Sequence, residues 1–491
     1  MTTSFTGYLP RSLSVREEKG HRTKVRRTSW AIASVMALHL PFGVLAHHFP
    51  VVATVHAIGA LIIGFVCATS RRHVEWVAYA AAYIVGAEVL WRMTDATIFW
   101  EVGKYGVSAI FVVAMVLNQR KRLPVLPVLF FAMLIPSALL AIMDAKNATY
   151  IRSELSSYMS GPLALAVSAC FFTNLKLTKA QLQKLLVALI CPILAIGAAA
   201  LFTTLTASEL NFTGESNMVT SGGFGPNQVS GVLGLGGLAA LLFILNEKEK
   251  STLKILMFAV LIFLFVQSAL TFSRGGLYNA AGGIGMCFIF LMKNRGGRSK
   301  LVFMLGLLVI IGYFVVLPTL DTFTGGAFSE RFSDTGLAYR DEIARKDLRL
   351  WQENPIFGVG PGGVSARGRV PHTEVTRLLA EHGILGLASM VIFAIASILC
   401  IARKRGLARA VAAALMGWGF LFLLDKAMRT VAPSFALGLV FATLLLDEES
   451  RPKSGPTWRP GRYRGTSGTD RTSLRFDRRL RRRQPVVSTS N

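Results

Sequence analysis

The chain has 491 residues, 52% of them hydrophobic and 16% charged, with a formal net charge of +26. A soluble domain carries about 25% charged residues, so a water-soluble globular enzyme is excluded and the surplus apolar surface must face lipid. Five cysteines without a CxxC pair suggest neither a zinc site nor a disulfide framework and read as buried free thiols.

A basic leader over residues 1–29 precedes the first apolar run and reads as a retained signal anchor. Fourteen apolar runs follow, at about 30–46, 51–69, 74–91, 98–117, 124–143, 159–174, 185–205, 228–245, 253–270, 276–292, 301–318, 376–401, 407–424 and 430–446. Most are long enough to cross a hydrocarbon core of about 30 Å. The first is interrupted by His39 and Pro41 and the sixth is short, so the expected fold is an all-α polytopic membrane protein of 12–14 transmembrane helices. Its segments are eleven spans over 30–318, a large structured external loop over 319–375, three more spans over 376–446, and a tail from 447 to 491.

Lys and Arg gather in alternate connections: "SRRH" (70–73), "NQRKR" (118–122), 176–184, 246–254, 293–300 and "ARKRG" (402–406). Cytoplasmic loops carry that excess, so both termini are expected inside. The Arg-rich tail reads as disordered and drawn to anionic membrane lipids rather than to nucleic acid.

Chemistry is expected in the 319–375 loop, because loops above about 12–15 residues are usually functional or disordered. "YRDEIARKDLRLWQENPIFGVGPGGV" predicts a helix with Ile343, Leu348 and Trp351 on one face, stopped by Asn354-Pro355. "GVGPGG" satisfies GxGxxG, but no strand–turn–helix surrounds it, and there is no GK[ST], so the glycines are expected to serve a tight turn and close packing of the loop on the membrane surface rather than a nucleotide. At the external boundary stand Arg274, Arg340, Arg345 and His372. Ionisable groups near the membrane are functional hypotheses by default, against snorkelling or simple solvation as the bland alternative. Glu101 and Lys104, three apart, read as a local ion pair.

Four strings, "GGFGPNQVSGVLGL" (222–235), "TFSRGGLYNAAGG" (271–283), "YRDEIARKDLRLWQENPIFGVGPGG" (339–363) and "HTEVTRLLAEHGILGL" (372–387), together resemble the bacterial O-antigen ligase/polymerase superfamily across roughly residues 200–445. The last is similar to H-N-x-x-L-x-x-L-x-E-x-G. His372, Leu379, Glu381 and Gly383 keep that pattern, while Thr373 and Thr376 depart from it. The resemblance implies an inner-membrane transferase without metal or other cofactor, moving glycan from undecaprenyl diphosphate to a sugar hydroxyl at the periplasmic face. Acceptors would be another lipid-linked glycan or lipid A-core, with other polysaccharide-assembly membrane proteins as partners. The resemblance assigns catalysis to His372, Arg274 and Arg340, and places Arg345, Asn227, Arg377 and Glu381 among residues that bind diphosphate or glycan. Without it, Glu381 reads as an ion pair with Arg377.

Arginine suits a diphosphate because its charged fork grips phosphate oxygens. A histidine with an unperturbed pKa of about 6.5 suits removal of a hydroxyl proton. O-linked transfer to protein is a further version within the superfamily. A transporter or flippase for lipid-linked sugars is the rival from another class, and the chain shows no clear internal duplication of the kind many transporters have.

Overall fold

In the computed structural model the described residues are 11–118, 123–144, 151–213, 215–247, 252–292, 295–333, 340–368 and 371–446; for 11–28, 144, 151–152, 295–297 and 340 only the backbone is described. The expected disordered tail lies outside them, as do the basic residues of 119–122. The N-terminal half builds α1 (Arg11–His48), α2 (Pro50–Thr69), α3 (Val74–Met93), α4 (Val102–Leu117), α5 (Val125–Ala132), α6 (Ile135–Asp144), α7 (Ser156–Thr173) and α8 (Lys179–Thr206). The C-terminal half adds α9 (Pro226–Asn246), α10 (Thr252–Leu270), α11 (Arg274–Leu291), α12 (Arg295–Ile311), α13 (Leu317–Phe323), α14 (Ala327–Ser333), α15 (Arg340–Glu353), α16 (Glu374–Ala402), α17 (Gly406–Lys426) and α18 (Ala432–Leu439).

Among the described residues eleven helical segments are long and apolar enough to cross a membrane, and α4 is a shorter apolar helix. The chain is therefore a multi-pass α-helical membrane protein. The free thiols of Cys170, Cys191 and Cys287 are buried, and those of Cys67 and Cys400 partly so. The run 124–143 divides into α5 and α6 at Met133-Leu134, where Pro136 lacks the N–H a continuous helix needs.

The run 430–446 departs from expectation. It is not one continuous spanning helix: α18 has 8 residues, about 12 Å of rise. Past α18 the chain turns and extends as β1's partner: β1 (Lys176–Thr178) pairs in parallel with β2 (Thr443–Leu445). Neighbouring segments of the chain pack closely on both sides of the break. A Cβ on Gly438 would run into Ser168 of α7, and beyond it the Thr443 amide donates to the Leu175 carbonyl at 2.9 Å. The backbone thus exchanges helical hydrogen bonds for a ladder to α7's end.

Helix α9 is the centre of the bundle. Its apolar residues point in every direction, as a helix surrounded by protein requires, and nearly every position from Val229 to Asn246 is buried. Gly234 meets the backbone of Gly276 so closely that a side chain on either would clash. Small residues permit this kind of helix approach in membranes, and here it fixes the start of α11 against α9.

One hydrogen-bonded chain ties α1, α2 and α3 together. Trp91 Nε1–H donates to His56 Nδ1 at 2.9 Å, so His56 carries its proton on Nε2. That nitrogen donates to the Tyr83 hydroxyl at 2.8 Å, and Tyr83 donates to His39 Nε2 at 2.9 Å. His39 Nδ1–H is left for the Val35 carbonyl, 2.8 Å away. Tyr83→Phe removes the shared hydroxyl and leaves two imidazole nitrogens without partners. The expected loss is about 1–3 kcal/mol of stability, read as a lowered unfolding temperature in detergent; an unchanged temperature would show that the chain is not a structural tie.

Candidate active site

The turn into α11 is specified by hydroxyl groups. Phe272 takes a left-handed backbone (φ 58°), uncommon for a bulky residue and characteristic of functional turns. Its carbonyl accepts from Arg331 Nε of α14 at 3.1 Å, and its ring packs among Leu320 and Phe328. Ser273 donates to Asn227 Oδ1 at 2.7 Å, and Ser230 donates to the Ser273 carbonyl at 2.7 Å. Arg274 follows, half-buried, as the first residue of α11. It therefore stands at the positive end of a helix whose first amides suit an anion.

The loop helix α15 ends at Glu353, before Asn354-Pro355 as its sequence predicts. Its inward face differs from expectation. Asp347 and Leu350 are buried, Ile343 and Trp351 partly so, while Leu348 is exposed. Leu350 packs with Val364 and Ala380, and Thr376 donates to Asp347 Oδ2 at 2.8 Å. Thr373 caps α16 by accepting from the Thr376 amide at 3.1 Å. The two threonines that depart from the superfamily pattern thus form a cap and a bond to the loop helix.

The glycine-rich segment after α15 packs on a break in α16. Gly383 has φ 63° and ψ −148° inside α16, which frees carbonyls from the helix ladder. The Val359 and Gly360 amides donate to the carbonyls of Ala380 and Glu381, both at 2.9 Å, and the Ile384 amide donates to Pro355 at 2.9 Å. A Cβ on Gly383 would strike the Ile356 carbonyl.

Two buried ionic groups lie beside this break. Arg377, 2% exposed, pairs with Glu374 and, at 2.7 Å, with Glu381. Arg92, 7% exposed, pairs with Glu88 at 2.7 Å, and Lys104 pairs with Glu101 at 2.5 Å. Both groups hold the turn after α17. Glu374 accepts from the Met428 amide at 3.0 Å, Glu88 accepts from the Val431 amide at 2.7 Å, and Arg92 donates to the Arg429 carbonyl at 2.8 Å. Between them is a polar cavity of about 360 Å³, whose walls include Trp100, Glu101, Glu154, Tyr158, Arg377 and Pro371.

The expected residues occupy different places. His372 is half-buried between Pro371, in the cavity wall, and the cap residue Thr373. Arg377 lines the cavity and Glu381 is buried as its partner. Asn227 contacts Ser273 beside Arg274. Arg274 and His372 are tied to one turn: Gly275 lies against Asp425 and Lys426, and Arg429 donates to the Pro371 carbonyl at 3.0 Å. Arg340 opens α15, but its side chain lies outside the described residues. Arg345 is exposed and paired with Asp341, a hydrogen bond that holds the Asp341 carboxyl below the ordinary carboxylate range.

The sequence reading missed Glu88, Arg92, Trp100, Glu154 and Tyr158. A usable signal existed for two of them, since Glu88 and Arg92 stand four apart at the end of an apolar run, where ionisable groups pair or serve function.

Residues 259–391 match the family model described as O-Antigen ligase. The match supports the O-antigen ligase/polymerase superfamily and, in general terms, glycan transfer of that type. It includes Arg274, Arg340, His372 and Glu381, and leaves the 222–235 motif outside. No curated protein matches the sequence.

The break in α16 generates a test. Gly383→Ala forces a side chain into the Ile356 carbonyl at a backbone angle that disfavours it. It is expected to cost at least about 1–3 kcal/mol and to open the 354–368 segment to limited proteolysis; wild-type protease resistance would contradict the packing described.

Proposed function

We propose that this chain, with an O-antigen ligase domain over residues 259–391, transfers or polymerises glycan from undecaprenyl diphosphate onto a sugar hydroxyl. The site faces the periplasm and both termini face the cytoplasm. The observation that carries the reading is the coincidence of the family match with the geometry: the matched segment holds Arg274 at the N-terminus of α11 and His372 beside the polar cavity.

In the proposed reaction the acceptor oxygen forms a bond to the donor's anomeric carbon as the bond from that carbon to the diphosphate oxygen breaks. His372 takes the hydroxyl proton, and the diphosphate leaves with its negative charge. Arg274 and Arg340 stabilise that charge, with the first amides of α11 assisting at Arg274. Arg345 and Asn227 support the donor side, Asn227 by fixing Ser273, while Arg377 and Glu381 shape the acceptor side. The diphosphate-activated donor supplies the driving force, so no nucleotide enters the step.

The test uses purified protein in lipid with an undecaprenyl-diphosphate-linked repeat unit, alone and with lipid A-core. Ladders from donor alone identify a polymerase; product only with core identifies a ligase. His372→Ala is expected to lower the rate by about 10²–10⁴-fold and Arg274→Ala by about 10²–10³-fold. Full activity in both variants would overturn the assignment, and ATP-independent movement of donor across the bilayer without transfer would favour a flippase.

A further inference from the structure

The cavity beside His372 is unlike a diphosphate site. Three cations stand in its wall: Arg429 donates to the Pro371 carbonyl at 3.0 Å, and Lys104 and Arg377 are already matched by Glu101 and by Glu374 with Glu381. A dianionic ligand would have to break these pairs, and separating a buried pair is strongly unfavourable.

Its other features suit a neutral, hydroxyl-rich ring. Trp100 is 54% exposed and is held by Arg92, whose guanidinium carbon lies 4.7 Å from the ring centroid and whose Nη2 donates to the Trp100 carbonyl at 2.9 Å. Tyr158 is held by Arg377 at 5.5 Å in the same manner. Aromatic groups fixed in this way offer apolar faces at little further entropic cost.

Glu154 stands one helical turn before Tyr158, and its Oε2 is buried without a hydrogen-bond partner among the described residues. A Cβ on Gly362 would press on that carboxylate, so the glycine-rich segment leaves it room. An unsatisfied buried oxygen is costly, a cost that a ligand hydroxyl relieves once the carboxyl turns toward it. The volume, about 360 Å³, falls at the lower end of small-ligand sites.

We propose that this cavity is the subsite for the acceptor sugar: a pyranose ring packs its C–H face on Trp100 and Tyr158 and donates hydroxyl hydrogens to Glu154. The inference rests on the glycan-transfer reading and deepens it. It places acceptor selectivity on Tyr158 of α7, on Glu154 just before that helix and on Trp100 before α4, all outside the segment 259–391 that matches the family. The reacting hydroxyl then emerges at Pro371, next to His372, while the diphosphate remains on the Arg274 side.

The experiment uses full-length protein in nanodiscs and saturation-transfer NMR, with methyl α-D-glucopyranoside, methyl α-D-galactopyranoside and methyl α-L-rhamnopyranoside as probes and inorganic pyrophosphate as competitor. Wild type is expected to transfer saturation to the ring C–H protons of at least one glycoside. Trp100→Ala and Glu154→Gln abolish it, Trp100→Phe restores part of it, and pyrophosphate does not displace the sugar. In the transfer assay Trp100→Ala and Glu154→Gln raise the acceptor KM at least about tenfold and change the donor KM far less. Matched unfolding temperatures separate these effects from misfolding.

The inference falls if no glycoside binds wild type, if binding survives both substitutions, or if pyrophosphate competes. It also falls if transfer proceeds with the acceptor KM unchanged in both variants, an outcome that leaves the transferase reading standing. Glycoside binding that both substitutions abolish, with no transfer from any lipid-linked donor, would retain the sugar site and overturn the transferase reading.

Discussion

Two guanidinium groups buried among membrane helices set the main constraint on this structure. Arg92 and Arg377 are each less than a tenth exposed, and a charge at membrane depth persists only when it is paired and hydrogen-bonded. Each therefore gathers carboxylates on its own helical face, Glu88 for Arg92 and Glu374 with Glu381 for Arg377. Part of the remaining capacity of these ions is met by backbone from elsewhere in the chain. Both groups reach the same stretch, Met428–Val431, from opposite sides. Charge neutralisation and tertiary closure are here one event.

That shared turn positions the site. Asp425 and Lys426 precede it and lie against Gly275, beside Arg274; Arg429 within it holds the Pro371 carbonyl, beside His372. The donor-side arginine and the proposed base are separated by about a hundred residues of sequence, yet both register on the end of α17 and the turn that follows it. The break at Gly383 supplies the other half of the frame. It lends the Ala380 and Glu381 carbonyls to the glycine-rich segment, while Thr376 reaches Asp347 on α15. The loop is thus fastened to the same helix that carries Arg377.

How much of this was legible beforehand follows from the range of each interaction. Spanning runs are local properties of about twenty residues, so α2, α3 and α10 fall close to their expected limits. Local signals also predict the stop at Asn354-Pro355 and the pairs Glu101–Lys104 and Arg377–Glu381, because partners three or four apart share a helix face. The broken passage through α18 was not legible, since the partners that hold it, Ser168 against Gly438 and Leu175 against Thr443, lie about 270 positions away in the sequence. Leu348 was misplaced for a related reason. Apolar spacing favours it as a buried residue, but the polar bond from Thr376 turns Asp347 inward instead. The aromatic and acidic walls of the cavity formed by Trp100, Glu101, Glu154 and Tyr158 come from the start of α7 with the residues just before it and from the residues before α4, and no short motif marks them.

The charge distribution also bears on how such a site divides its work. A glycosyl transfer of the proposed kind needs a cationic environment where the diphosphate departs and a less charged one where a hydroxyl must become a nucleophile. Free guanidinium groups around the acceptor would attract the phosphates as readily as the intended site does. In this protein two of the three basic residues in the cavity wall, Lys104 and Arg377, are neutralised by acids three or four positions away, and the third, Arg429, is turned to the Pro371 carbonyl. Arg274 stands at a helix N-terminus, where the dipole adds to its charge. The same buried pairs that close the fold therefore make the cavity unattractive to phosphate, and leave the start of α11 as the favoured place for the leaving group.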